Sequence, residues 1–162
     1  MNLYFISGLG ADKRVFQKLD IPEPFIIHHL EWVPVEGEEE LSRYCSRLSE
    51  QISQDEPFVL IGLSFGGVVA MELSKMIKPV LTVLISSISG PDEIGRIYTL
   101  LGKLKLQKII PLRFFLKPSA ILYRLFGAGT TEEKKLLKHI LSDTDPLFFQ
   151  WAIGRMFSWK ND

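Results

Sequence analysis

Hydrophobic residues in the first ninety positions fall in short unbroken blocks separated by helical stripes. Leu3 to Ile6 is an apolar run that stops at Ser7-Gly8-Leu9-Gly10, which reads as a buried strand ending in a tight glycine loop. Asp12 is placed to cap a short helix with Val15, Phe16 and Leu19 on its apolar side, ended by Pro22 and Pro24. Phe25 to Leu30 reads as a second strand. An acidic stretch, Glu36 to Glu40, then leads into a helix expected over residues 38–54. Its apolar stripe is Leu41, Tyr44, Cys45, Leu48 and Ile52. Phe58 to Ile61 reads as a third strand, Val68 to Met76 as a buried helix, and Val80 to Ile85 as a fourth strand closing at Ser86-Ser87.

Continuously apolar strands alternating with helices predict an α/β fold: a parallel β-sheet with helices on both faces. After Gly90-Pro91 the texture changes to helix alone. The helices are expected over residues 92–108, 112–125, 132–141 and 146–159, punctuated by Pro111, Pro118, Gly127, Gly129 and Pro146. This divides the chain into a core over residues 1–90 and a helical region over 91–162.

Composition narrows the classes. The chain has 162 residues, 46% hydrophobic and 23% charged, enough apolar material for a core. Lys plus Arg and Asp plus Glu are each 19, so no nucleic acid or acidic partner is called for. Cys45 is the single cysteine, which excludes an internal disulfide. No Cys/His cluster has metal-ligand spacing, so no metal is expected. The N-terminus lacks a basic segment followed by a long apolar one, and no apolar run approaches the roughly 20 residues of a membrane span. A cytoplasmic protein is expected.

Two motifs carry chemistry. Gly62-Leu63-Ser64-Phe65-Gly66 fits G-x-S-x-G, with an apolar strand running in and a small-residue helix running out. The serine of such a turn sits on so sharp a bend that only small residues fit two positions either side, hence Gly62 and Gly66. Ser64 is the expected nucleophile; the competing view is a serine that only caps the helix. Acyl transfer also needs about two preorganised donors for an oxyanion. The backbone N–H of Phe65 is one candidate and that of Leu9, in the first glycine loop, the other. Gly8-Leu9-Gly10-Ala11-Asp12-Lys13 fails as a dinucleotide fingerprint because Lys13 stands at its third glycine, so no cofactor is expected.

These two motifs, in this order, resemble the α/β-hydrolase superfamily. Phe5 to Asp12 is similar to its oxyanion strand and loop, with Ser7 where many members have histidine, and Leu60 to Ala70 to its elbow. The helical stretch after Pro91 resembles the lid of lipases and esterases. The resemblance implies a serine hydrolase of a carboxylic ester or related small acyl compound, or else an acyltransferase or a non-catalytic binding protein on the same scaffold. It also implies an acid and a histidine after the serine. His28 and His29 precede it and read as a strand end and an exposed neighbour; His139 lies on a polar helix face. Asp143 and Asp145 read as caps of the turn before Pro146. The expectation is therefore an N-terminal portion of a hydrolase, nearly inactive alone, with the Val80–Ile85 edge open to self-association. The basic, apolar run 103–117 reads as a solvated helix face. Phe114, Phe115, Leu122, Phe126, Phe148, Phe149 and Trp151 are weighed as an acyl pocket against plain core.

Overall fold

Four apolar runs become four parallel strands in the computed structural model, which describes residues 1–90 and 119–161, save the side chains of residues 121, 122, 125 and 157. They are β1 (Asn2–Ile6), β2 (Ile26–His29), β3 (Phe58–Leu63) and β4 (Leu81–Ile85), in the sheet order β2-β1-β3-β4. The helices are α1 (Leu41–Leu48), α2 (Phe65–Met76), α3 (Ala120–Leu125), α4 (Thr131–Asp143) and α5 (Pro146–Ser158). The helix expected at 92–108, the start of the one expected at 112–125, the basic run, Phe114 and Phe115 lie outside the described residues, as does the Leu122 side chain.

The central strands explain the unbroken apolar runs. All of β1, and β3 up to Gly62, is buried on both faces. Tyr4, Ile6, Phe58 and Leu60 face α1, α2 and α5, whereas Leu3, Phe5, Val59 and Ile61 face the 3-10 turn Lys13–Phe16. Phe16 meets Phe5 edge-on with ring centroids 5.0 Å apart. The outer strands are half-covered, which leaves Ile26 and Leu81 more than half exposed. The open edge expected at Val80–Ile85 is present among the described strands, since β4 pairs with β3 alone.

Helix α1 is shorter than its stripe suggested. All five stripe residues, Leu41, Tyr44, Cys45, Leu48 and Ile52, are buried, but the chain tightens into a 3-10 turn at Ser49–Gln51. There the Ser49 hydroxyl donates back to the Ser46 carbonyl at 2.6 Å. Helix α2 begins three residues earlier than expected, because Phe65, Gly66 and Gly67 are already helical. Helix α5 packs into the same core: Phe148, Trp151 and Ala152 are buried with Tyr44 and Phe65.

Glu39 ties these helices together. Its carboxylate is buried and accepts from Arg47 (2.5 Å) and from the Glu36 N–H (2.7 Å), while its carbonyl accepts from the Trp151 indole (2.8 Å). Burial alone would raise its pKa, but the Arg47 and Glu36 hydrogen bonds and the charges of Arg47 and Arg43 hold it below the usual carboxylate value. A depressed folded-state pKa adds stability above the unfolded value, and that stability is lost as pH falls through the folded one. Stability should therefore decline below about pH 4.5, and Glu39→Gln should remove part of that slope. Urea midpoints of the two proteins from pH 7 downward check this; identical slopes would contradict it.

Candidate active site at the Ser64 turn

The turn between β3 and α2 holds Ser64 at φ 52°, ψ −118°, outside the basins a side-chain-bearing residue favours. Its own side chain makes no capping hydrogen bond, so the cap reading does not apply, and the residue is exposed. The backbone is fastened on both sides. The Ser64 N–H donates to the Ile85 carbonyl at 2.9 Å, and the Ser64 carbonyl accepts from the Gly67 N–H (2.9 Å) and the Ser87 hydroxyl (2.6 Å).

The glycines show why the motif needs small residues. A Cβ on Gly62 would fall on the backbone of Gly66 and Gly67, and one on Gly66 would fall on the carbonyls of Ile6 and Ser7. The second contact seats α2 directly on the end of β1, bringing the first loop to the nucleophile. A Cβ on Gly8 would lie 3.4 Å from the Ser64 Cβ.

That loop is a closed turn. The Ala11 N–H donates to the Gly8 carbonyl at 3.0 Å, and the Ala11 carbonyl accepts from the Ser7 hydroxyl (2.8 Å) and the Trp32 indole (3.2 Å). Ser7 is thus a buried internal brace. Gly10 takes φ 68° with Phe149 packed against it, and its carbonyl shares the Thr144 hydroxyl with that of Ile140. No backbone carbonyl of the described residues accepts from the N–H of Leu9 or of Phe65. Asp12 caps the following 3-10 turn and pairs with Arg14, which also reaches Asp143 at 2.7 Å. The Arg14 hydrogen bonds outweigh burial and hold the Asp12 carboxyl below its ordinary pKa.

The histidines stand elsewhere. His28 contacts the Asn2 amide oxygen at 3.1 Å and stacks on Tyr4. His29 is half-buried, not exposed as its sequence position suggested, because Phe16 stacks over it; burial lowers its pKa, and its Nδ1 has no partner among the described residues. His139 is exposed on α4. Among the described residues no histidine or carboxylate bonds the Ser64 hydroxyl. Asp145 caps α5 through the Leu147 N–H (2.9 Å), as expected, but Asp143 is drawn to Arg14 rather than capping that turn.

A cleft of about 300 Å³ opens between Gly10–Asp12, Trp32–Pro34 and the α4–α5 turn, bordering the first loop but not Ser64. Of the aromatics weighed as an acyl pocket, Phe148 reaches this cleft; Phe149 and Trp151 are buried and Phe126 is exposed. Among the described residues there is no metal-ligand grouping, and no helix is long and apolar enough to cross a membrane.

Solved structures place this arrangement. MenH from S. aureus superposes with a TM-score of 0.67 at 16% identity, over 96% of this chain and 65% of that one. The chain has the α/β-hydrolase fold. A hydrolase from Oleispira antarctica shares this α/β-hydrolase fold (TM-score 0.57, 13% identity, 98% of this chain and 66% of that one). A lipase-esterase related protein from Clostridium acetobutylicum does too (TM-score 0.58, 15% identity, 95% and 65%). The chain thus spans about two thirds of the length of the α/β-hydrolase structures it matches. No protein-family model and no curated protein matches the sequence.

Missed by sequence reasoning were Gly67 and Ser87. Gly67 follows the motif's last glycine directly, and a Cβ there would fall on the Ser87 side chain. The doublet Gly66-Gly67 and the serines ending β4 were the available signals.

Proposed function

We propose that the protein is a serine hydrolase of a carboxylic ester or related small acyl compound. One observation carries this reading: an exposed serine in strained backbone at a strand-to-helix turn, touched by a glycine loop whose Leu9 N–H meets no acceptor among the described residues. In it, Ser64 Oγ gives its proton to a general base and attacks the acyl carbon; the ester C–O bond breaks, the alcohol leaves with that proton, and an acyl-enzyme remains. The N–H groups of Leu9 and Phe65 stabilise the oxyanion, and water releases the acid. Preorganised donors matter here because they meet charge that develops only in the transition state.

A serine needs a base to attack at neutral pH, and neither His28 nor His29 is placed as one for Ser64. The intact protein is therefore the material to test, with a fluorophosphonate probe and p-nitrophenyl esters of two to eight acyl carbons. Covalent capture at Ser64 is expected, with Ser64→Ala abolishing capture and lowering turnover by about a thousandfold or more. An intact, folded protein that neither labels nor hydrolyses any of these esters would end the hydrolase reading. Release of a new ester in the presence of alcohol, faster than the acid, would reassign it to acyl transfer.

A further inference from the structure

The end of β4 has more to do than terminate a strand. Ser86 takes φ 46°, which turns the chain back so that Ser87 comes over the start of α2. Gly67 leaves the space that the Ser87 side chain fills. From there the Ser87 hydroxyl donates to the Ser64 carbonyl at 2.6 Å. That carbonyl belongs to the peptide whose N–H is Phe65's. A trans peptide is planar, so its C=O and N–H point in opposite directions. Holding the carbonyl on one side aims the N–H to the other.

We propose that Ser87 is a positioning residue for the oxyanion hole, fixing the Ser64–Phe65 peptide so that the Phe65 N–H faces the developing oxyanion. The proposal rests on the reading of Ser64 as nucleophile. The geometry also sets its size. The Gly67 N–H holds the same carbonyl at 2.9 Å, and the Ile85 carbonyl holds the Ser64 N–H at 2.9 Å. Losing the hydroxyl leaves those anchors, so the peptide gains freedom without being released. The first loop uses the same device: its Ala11 N–H holds the Gly8 carbonyl, fixing the plane that carries the Leu9 N–H.

Ser87→Ala and Ser87→Thr in the intact protein test this, the second retaining the hydroxyl. For Ser87→Ala, kcat on a p-nitrophenyl ester should fall about tenfold with KM unchanged, as expected for one buttressing hydrogen bond. Affinity for phenylboronic acid, whose tetrahedral Ser64 adduct places an oxygen in the hole, should fall by a similar factor. Ser87→Thr should restore both. The Phe65 amide should exchange faster in Ser87→Ala than in the parent, measured by hydrogen exchange at equal global stability. A Ser87→Ala protein with unchanged kcat, or with threonine no better than alanine, overturns the proposal. If the parent has no esterase activity, the hydrolase reading fails separately. The Phe65 exchange rate then decides whether Ser87 fixes the peptide, and an unchanged rate refutes it.

Discussion

Replacing Gly66 by alanine is expected to abolish folding, or to lower stability by about 4 kcal/mol or more in a urea titration. The reason is what the new methyl would meet. It would fall on the carbonyl oxygens of Ile6 and Ser7, and both residues are buried, at 0% and 2% exposure. Neither is the movable end of a side chain. Relief would require α2 to lift off β1, which would uncover the core contacts of Val68, Val69 and Leu73. Gly90 is the control: among the described residues a Cβ there meets nothing within 4 Å, and Gly90→Ala should stay within about 0.5 kcal/mol. Equal urea midpoints for the two variants would refute the close seating of helix on strand.

Ser64→Gly is expected to separate stability from reactivity. The backbone at φ 52°, ψ −118° costs a serine roughly 1–3 kcal/mol, and glycine reaches it without that strain. Glycine loses more chain entropy on folding, about 0.5–1 kcal/mol. The balance is a gain of about 1 kcal/mol. At the same time the variant lacks the hydroxyl and should not react with the fluorophosphonate at all. Urea unfolding and probe capture on one preparation check both halves. A variant less stable than the parent would show that the Ser64 side chain supports the turn instead of straining it.

Much of this arrangement was legible because the constraints are local. Four apolar blocks named four strands, and the glycine spacing around Ser64 named the turn; the clash that bars a side chain at Gly62 is local, with Gly66 and Gly67, whereas the one at Gly66 comes from the distant carbonyls of Ile6 and Ser7. What escaped the sequence depends on residues brought together from afar. Ser87 touches Ser64 only because β4 lies beside β3 and Ser86 bends the chain. The half-burial of His29 depends on Phe16, placed over it by a turn thirteen residues earlier. Asp143 reads as a turn cap until Arg14, 129 residues away, draws it off. Helix ends were misplaced where serine hydroxyls and the elbow compete with helical periodicity. That periodicity says which face is apolar, not where the helix stops.

Helix α5 has a consequence for how the chain is made. Its Trp151 ring lies 4.5 Å from that of Tyr44, centroid to centroid, and Arg155 bonds Glu40 at 2.8 Å. Those partners are synthesised more than a hundred residues earlier. While the ribosome adds the intervening segment, the first ninety residues can pair their strands and Tyr44 can meet Trp32, yet the side of Tyr44 that Phe148 and Trp151 cover stays open. Sheet formation can thus proceed during synthesis, whereas closure of this aromatic cluster waits until α5 has left the exit tunnel. For that interval the nascent protein carries a sticky face, and it is then that a chaperone would have most to bind.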